Sequence, residues 1–283
     1  MIVFKKIASL QQHLQRIQQN GGSVGFVPTM GALHQGHIQL TERSIAEGQF
    51  TVCSIFVNPT QFNDKDDFAK YPITVENDIV QLEAAGVQAL FLPSVEEIYP
   101  NGTALPENAY PLGFLDQVFE AAHRPGHFQG VCQVVHRLLD IVQPDKLYMG
   151  QKDYQQCMVI RKLLDLTGLD TRTELIICPT MRETDGLAMS SRNRRLPETD
   201  RQVAPTIYEL LQYAREKAGE LPLPEIEEYA LAQLTAAGFK PDYFAFARAS
   251  DLQPVGRYEN DTKLIVVVAA FLGQVRLIDN ILL

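Results

Sequence analysis

Hydrophobic and polar positions change period along the chain, and each change marks an element. Over the first ~180 residues, the size of one α/β domain, short apolar runs alternate with stretches of helical spacing. Ser23–Val27, Thr51–Val57, Val87–Leu92, Lys146–Met149 and Thr173–Cys178 read as buried strands. Four of them stop at a proline: Pro28, Pro59, Pro93 and Pro179. Gly36–Glu47, Thr74–Ala85, Phe128–Val142 and Tyr154–Leu166 carry helical spacing, with Gly86 and Gly168 placed to end two of these helices. The N-terminal twenty residues read as a short strand and a helix, and Pro100–Pro111 as loop. Strands alternating with helices predict βαβ units and a parallel sheet.

Beyond Pro179 the pattern differs. Ala204–Ala218 and Glu225–Ala237 predict two helices, linked by Leu221-Pro222-Leu223-Pro224. Three β-rich runs follow, Tyr243–Ala247, Leu264–Ala270 and Val275–Ile278. Helices followed by strands predict a smaller α+β unit, so the chain is expected to divide into residues 1–179 and 180–283.

Composition narrows the function. The chain has 283 residues, 46% hydrophobic and 21% charged, as in an ordinary globular protein. A net charge of −9 disfavours nucleic acid, whose affinity rests on many cationic contacts to phosphate. No apolar run is long enough to span a membrane, and the N-terminus lacks the apolar core of a secretion signal. A cytoplasmic protein is expected. The scattered Cys53, Cys132, Cys157 and Cys178 form no CxxC pair and read as reduced core thiols. Asn101-Gly102-Thr103 and Asn260-Asp261-Thr262 read as turns rather than glycosylation sites.

Candidate chemistry lies at strand-to-helix junctions. Pro28 to His37 joins the first substantial strand to its helix, at the sheet edge where α/β proteins bind ligands. His34 and His37 share one face of a helical turn, and a helix N-terminus with open N–H groups favours a phosphate. Two surface histidines at a cap are the alternative. Met149 to Gln156 occupies a second such junction, where Lys152 supplies a point charge and Asp153 suits a helix cap. Met189-Ser190-Ser191-Arg192-Asn193 offers hydroxyl and guanidinium donors for phosphate. Asn58 and Gln61 follow the second strand and can bond a small polar substrate, though Asn-Pro is also common turn chemistry. Arg124 and His127 open the next helix. Neither a P-loop nor a GxGxxG fingerprint is present.

The HxGH pattern of residues 34–37 is similar to that of class I aminoacyl-tRNA synthetases and related nucleotidyltransferases. In order, PTMGALHQGH, SIFVNPTQF, YPIT, IYPNGT, RPGHFQGV, GQKDYQQ, MSSRN and VVVAAFLGQVRLIDN resemble the pantothenate synthetase family across nearly the whole chain. The resemblance implies a Rossmann-like nucleotidyltransferase domain with a C-terminal unit closing over ATP. It implies ligation of pantoate to β-alanine through pantoyl adenylate, with Mg²⁺ accompanying ATP, in a homodimer. The residues matching its ATP site are Met30, Gly31, Ala32, Leu33, His34, Gln35, Gly36, His37, Gly150, Gln151, Lys152, Asp153, Met181, Met189, Ser190, Ser191 and Arg192. Gln61 and Gln156 match the substrate-holding positions, and His37 the assigned proton donor. The chain departs from the family at Ile73, where arginine is usual, and at Asn77, where some relatives have a metal-contacting aspartate.

Overall fold

A computed structural model describes residues 1–62, 71–106, 109–258 and 261–283. Two residues of the expected loop, 107 and 108, and Asn260 of the expected turn lie outside the described residues.

Six strands form one parallel sheet: β1 (Ile2–Phe4), β2 (Val24–Thr29), β3 (Phe50–Ile55), β4 (Ala89–Phe91), β5 (Lys146–Gly150) and β6 (Glu174–Cys178). Their order is β1-β4-β3-β2-β5-β6, and every pair is parallel. The crossovers are α1 (Ile7–Gln19), α2 (Gln35–Ala46), α3 (Val75–Ala84), α4 (His127–Val142) and α5 (Tyr154–Thr167). Strands buried on both faces need no alternation, which is why they read as continuous apolar runs. On one face, α4 and α5 pack Phe128, Val135, Leu139 and Ile160 over Phe26 and Leu147. On the other, Leu33, Ile38 and Leu82 cover Val27 and Leu90.

The C-terminal unit has helices α6 (Thr206–Lys217) and α7 (Leu223–Ala236) and antiparallel strands β7 (Phe239–Arg248), β8 (Leu264–Leu272) and β9 (Val275–Leu282). The small sheet is used on both faces. Phe246, Val266 and Val268 pack with Leu211 and Ile226 of its own helices. Ala247, Ile265 and Val267 join the apolar cluster of the first unit.

Several boundaries differ from the sequence expectation. β2 runs through Pro28 to Thr29. Pro28 pairs opposite Ser54 of β3, while the β5 ladder on its other side has already ended at Phe26, so the missing N–H breaks nothing there. α7 begins at Leu223, with proline in its first turn, where it is tolerated. β7 begins at Phe239 and passes Pro241 through a register shift. β9 continues four residues past Ile278 because Asp279 and Asn280, although polar, are buried against partners described below. The four cysteines are free and buried.

Candidate active site

The cleft begins where the sheet parts. β2 and β3 stay in register to Thr29 and Ile55, and β5 and β6 to Gly150 and Cys178. Between β2 and β5 only Gly25–Lys146 and Phe26–Leu147 pair. Chain order reverses at this point, and the carboxyl ends of β2 and β5 open a crevice, as expected at a topological switch point. The resulting cleft is about 940 Å³, and β8 and β9 of the C-terminal unit supply part of its wall, including Phe271 and Ile278.

The turn after β2 is held from below. Gly31 and Ala32 both adopt positive φ, 81° and 50°. A non-glycine residue there is strained and needs support. Asp78 of α3, fully buried, supplies it: its carboxylate accepts from the amides of Ala32 and Leu33, each at 2.9 Å, and from the Thr74 hydroxyl at 3.0 Å. Asp78 adjoins the departure at Asn77. Asn77 itself is exposed, as is Ile73.

His34 is the N-cap of α2. Its Nδ1 accepts from the Gly36 amide at 3.1 Å, and His37 Nδ1 accepts from the His34 amide at 3.4 Å. Because both Nδ1 atoms accept, each neutral ring carries its proton on Nε2. A Cβ at Gly36 would lie 2.9 Å from the His34 ring, so only glycine lets the ring fold back over the turn. This corrects one expectation. The amides of Gly36 and His37 are already bonded to His34, so the imidazoles, more than open backbone N–H groups, form the polar end of this helix.

Burial, then the Lys152 charge, lowers His34 to about 4. Burial, then His34 and Lys152, lowers His37 to about 3. His127 is lowered to about 4 by burial and then by Arg124. Below pH ~6.5, the ordinary histidine value, an unfolded chain takes up protons that these native rings still refuse. Stability therefore falls as pH drops from about 6.5 through about 4, where His34 and His127 take up protons, to about 3 for His37. Histidine-selective NMR should show all three rings neutral at pH 5.5, and a ring titrating near 6.5 would contradict their placement.

Across the crevice, Gln151–Asp153 forms a 3₁₀ turn leading into α5. Lys152 lines the cleft, with its Nζ 3.7 Å from Asp153. Asp153 takes the N-cap position but makes no side-chain cap hydrogen bond, contrary to its expected capping role. Met181 and Met189 are joined by a backbone hydrogen bond of 3.0 Å, flanking an Arg182–Ala188 bridge. That arrangement presents Met181, Met189, Ser190, Ser191 and Arg192 to the cleft. Ser190 Oγ caps the next 3₁₀ turn by accepting from the Arg192 amide at 3.2 Å.

Gln61 and Gln156 also line the cleft. Its neighbour Gln155 is spent internally, bonding the Glu120 amide and the carbonyls of Leu115 and Val118. His127 fixes Gln61: Nδ1–H donates to the Gln61 carbonyl at 2.8 Å, leaving Nε2 to accept from Arg124 at 3.1 Å. α4 approaches this turn closely, since a Cβ at Gly130 would sit 2.2 Å from the Thr60 carbonyl oxygen.

Not every expected site residue reaches the wall. Asn58 is 1% exposed; its amide donates to Thr60, Gln61 and the Gly130 carbonyl, and its oxygen accepts from Tyr99. It supports Gln61 from behind. Met30, His34, Gly36, His37, Gly150, Lys152 and Asp153 line the cleft, whereas Gly31, Ala32, Leu33, Gln35 and Gln151 shape the two turns beneath it. Asp78, Arg276 and Asn280 escaped sequence reasoning. Their only sequence signal was a polar residue in an apolar or cap-like context.

A family model described as pantoate-beta-alanine ligase matches residues 2–282. The chain belongs to the pantoate–β-alanine ligase family. It is 44% identical to the pantothenate synthetase of Bacteroides thetaiotaomicron, over 99% of this chain and 98% of that protein. It is 42% identical to that of Porphyromonas gingivalis, over 99% of both. Among solved structures, pantothenate synthetase from Thermus thermophilus superposes with a TM-score of 0.90 at 41% identity, covering 99% of each chain. The Francisella tularensis family member, complexed with β-γ ATP and β-alanine, superposes with a TM-score of 0.82 at 37% identity, covering 100% of this chain and 97% of that one. The α/β fold, a parallel sheet with a small C-terminal antiparallel sheet, is thus the fold of the family.

Proposed function

We propose that the chain condenses pantoate with β-alanine in an ATP-dependent ligation that passes through pantoyl adenylate. The observation that carries this reading is one cleft joining His34, His37, Lys152 and the Ser190–Arg192 turn to Gln61 and Gln156. The first group offers donors for phosphate oxygens and the second offers amides for a hydroxy acid.

In the first step a pantoate carboxylate oxygen attacks the α-phosphorus of ATP, and the bond to pyrophosphate breaks. In the second, the β-alanine amine attacks the acyl carbon, AMP leaves with the bonding electrons, and the amine gives up a proton. Neutral His34 and His37, protonated on Nε2, act as hydrogen-bond donors to phosphate rather than as cations. Lys152 and Arg192 supply positive charge to the same oxygens. Gln61 and Gln156 hold pantoate, with Gln61 also reaching β-alanine and His127 fixing its backbone. Among the described residues no group of three His, Cys, Asp or Glu could hold a metal ion. Mg²⁺ would accompany ATP, since it favours phosphate oxygens and water over an all-protein cage.

Residues 180–283 form the unit that covers the nucleotide in this reading, and the boundary near residue 179 follows the end of β6 at Cys178. A homodimer and a cytoplasmic location rest on the resemblance. Among the described residues no helix is long and apolar enough to cross a membrane. A sedimentation mass of one chain would remove the dimer. The adenylate route is tested by ATP–pyrophosphate exchange without β-alanine. Exchange that requires pantoate supports the route; complete ligation without any exchange would count against it.

A further inference from the structure

The last strand of the chain grips the turn that carries Lys152. Asn280 of β9 is 2% exposed, and both donors and the oxygen of its side-chain amide bond to that turn. Nδ2 donates to the carbonyls of Gln151 at 2.9 Å and Lys152 at 2.8 Å. In return, Gln151 Nε2 donates to Asn280 Oδ1 at 3.2 Å. The turn lacks a cap of its own, since neither Gly150 nor Asp153 makes a side-chain cap hydrogen bond.

The neighbouring residue anchors the strand end. Asp279, 4% exposed, is bound by both guanidinium nitrogens of Arg182, at 2.5 and 3.0 Å. Arg182 also donates to the carbonyls of Gly186 and Asn280 and lies 4.1 Å over the Tyr208 ring. Arg182 follows Met181 directly and bridges to Ala188, just before Met189 and Ser190. Thus β9 fastens the Lys152 turn and the Met181–Ser190 segment to one frame.

We propose that Asn280 is a positioning residue for Lys152, fixing the backbone of the lysine turn from the C-terminal sheet so that the ammonium meets the phosphate in one geometry. This rests on the reading of Lys152 as a phosphate-binding side chain. A misplacement of about 1 Å costs up to about 100-fold in rate, so the loss of the clasp is expected to appear in kcat rather than in ATP binding.

The test combines pantoate-dependent ATP–pyrophosphate exchange with amide hydrogen exchange. Asn280→Asp keeps the size and the acceptor but loses both donors. It should lower kcat about 10- to 100-fold, with the KM for ATP changed less than about threefold. In a Lys152→Ala background the same change should cost less than about threefold, because groups acting through one another are not additive. Amide hydrogen exchange at Gln151–Asp153 should accelerate in the variant without any substrate present. That readout tests the clasp even if the proposed reaction fails, and wild-type pyrophosphate exchange tests the reaction by itself. Should Asn280→Asp not fold, Gln151→Ala removes one bond of the clasp from the other side and leaves the small sheet whole. It should give a smaller kcat loss, again absent without Lys152. A folded variant with wild-type kcat and unchanged amide exchange overturns the proposal, as does equal slowing with and without Lys152.

Discussion

Lys152→Ala should fold normally and lower the rate of adenylate formation by about 10²–10³, the loss typical of one donor aimed at transition-state charge. Lys152 sits in a turn whose backbone is bonded from β9 through carbonyls, so truncating its side chain leaves those bonds in place. Lys152 lines the same cleft as His34 and His37, and its charge adds to burial in lowering both imidazoles. Lys152→Arg should recover only part of the rate, since a planar fork does not reproduce a compact ammonium. His37→Ala should lose a similar factor to Lys152→Ala. Single-turnover formation of AMP-linked pantoate separates this from product release. Near-normal rates in Lys152→Ala and His37→Ala would remove the site from the chemistry.

Asp78→Ala should cost stability and activity together. The carboxylate satisfies two buried amides and one hydroxyl, and it holds Ala32 at a φ of 50°. Leaving those three donors unpaired costs roughly 3–9 kcal/mol, from about 1–3 for each unsatisfied group. Relief of the backbone strain at Ala32 then favours a different turn, and His34 and His37 lose their placement. Adenylation should fall more than about 100-fold, as for a displaced catalytic group. Asp78→Asn keeps the shape but replaces one acceptor with a donor, so it should rescue little. Excess Mg²⁺ should restore neither stability nor rate, because the carboxylate serves the turn. Urea unfolding alongside the rate assay decides this; a variant within about 1 kcal/mol of wild type, the common size of a mutational effect, would show that the turn holds itself.

The features legible in the sequence were those that repeat a local rule. Phe128–Val142 and Tyr154–Leu166 were readable because their apolar period persists over several turns, and Gly168 ends α5 in the left-handed conformation. The cleft was legible because both glycine-containing junctions fall at strand ends, which in a parallel sheet all lie on one edge. Other features depended on contacts distant in sequence. Nothing local marks Asp78, 46 residues from Ala32, as the support of the histidine turn. Asp279 and Asn280 looked like the end of a strand because two polar residues interrupt an apolar run; their partners are Arg182 and the Lys152 turn, the latter 128 residues away. Asn58 shows the converse. Its position after a strand suggested a ligand contact, but the close approach of α4 at Gly130 enclosed it. Burial of a polar side chain is decided by what packs over it, which a single sequence does not encode locally.

The sheet order explains why the two junctions meet. β3 lies on one side of β2 and β5 on the other, so the histidine turn and the lysine turn flank one gap. Strands β8 and β9 of the small sheet then contribute to the wall of that gap. Glu120 and Asp242 bind Arg276 of β9, each at 2.7 Å, and Tyr243 donates to Glu120 at 2.7 Å. The cationic side chains lining the cleft include Lys152, Arg192 and Arg276, the last held by Glu120 and Asp242.

The most direct test is AMP release from ATP and Mg²⁺, with pantoate and β-alanine supplied together and each alone. The account predicts multiple turnovers of AMP only when both are present, with pantothenate identified by mass. Folded protein that binds ATP yet releases no AMP with both substrates would contradict it.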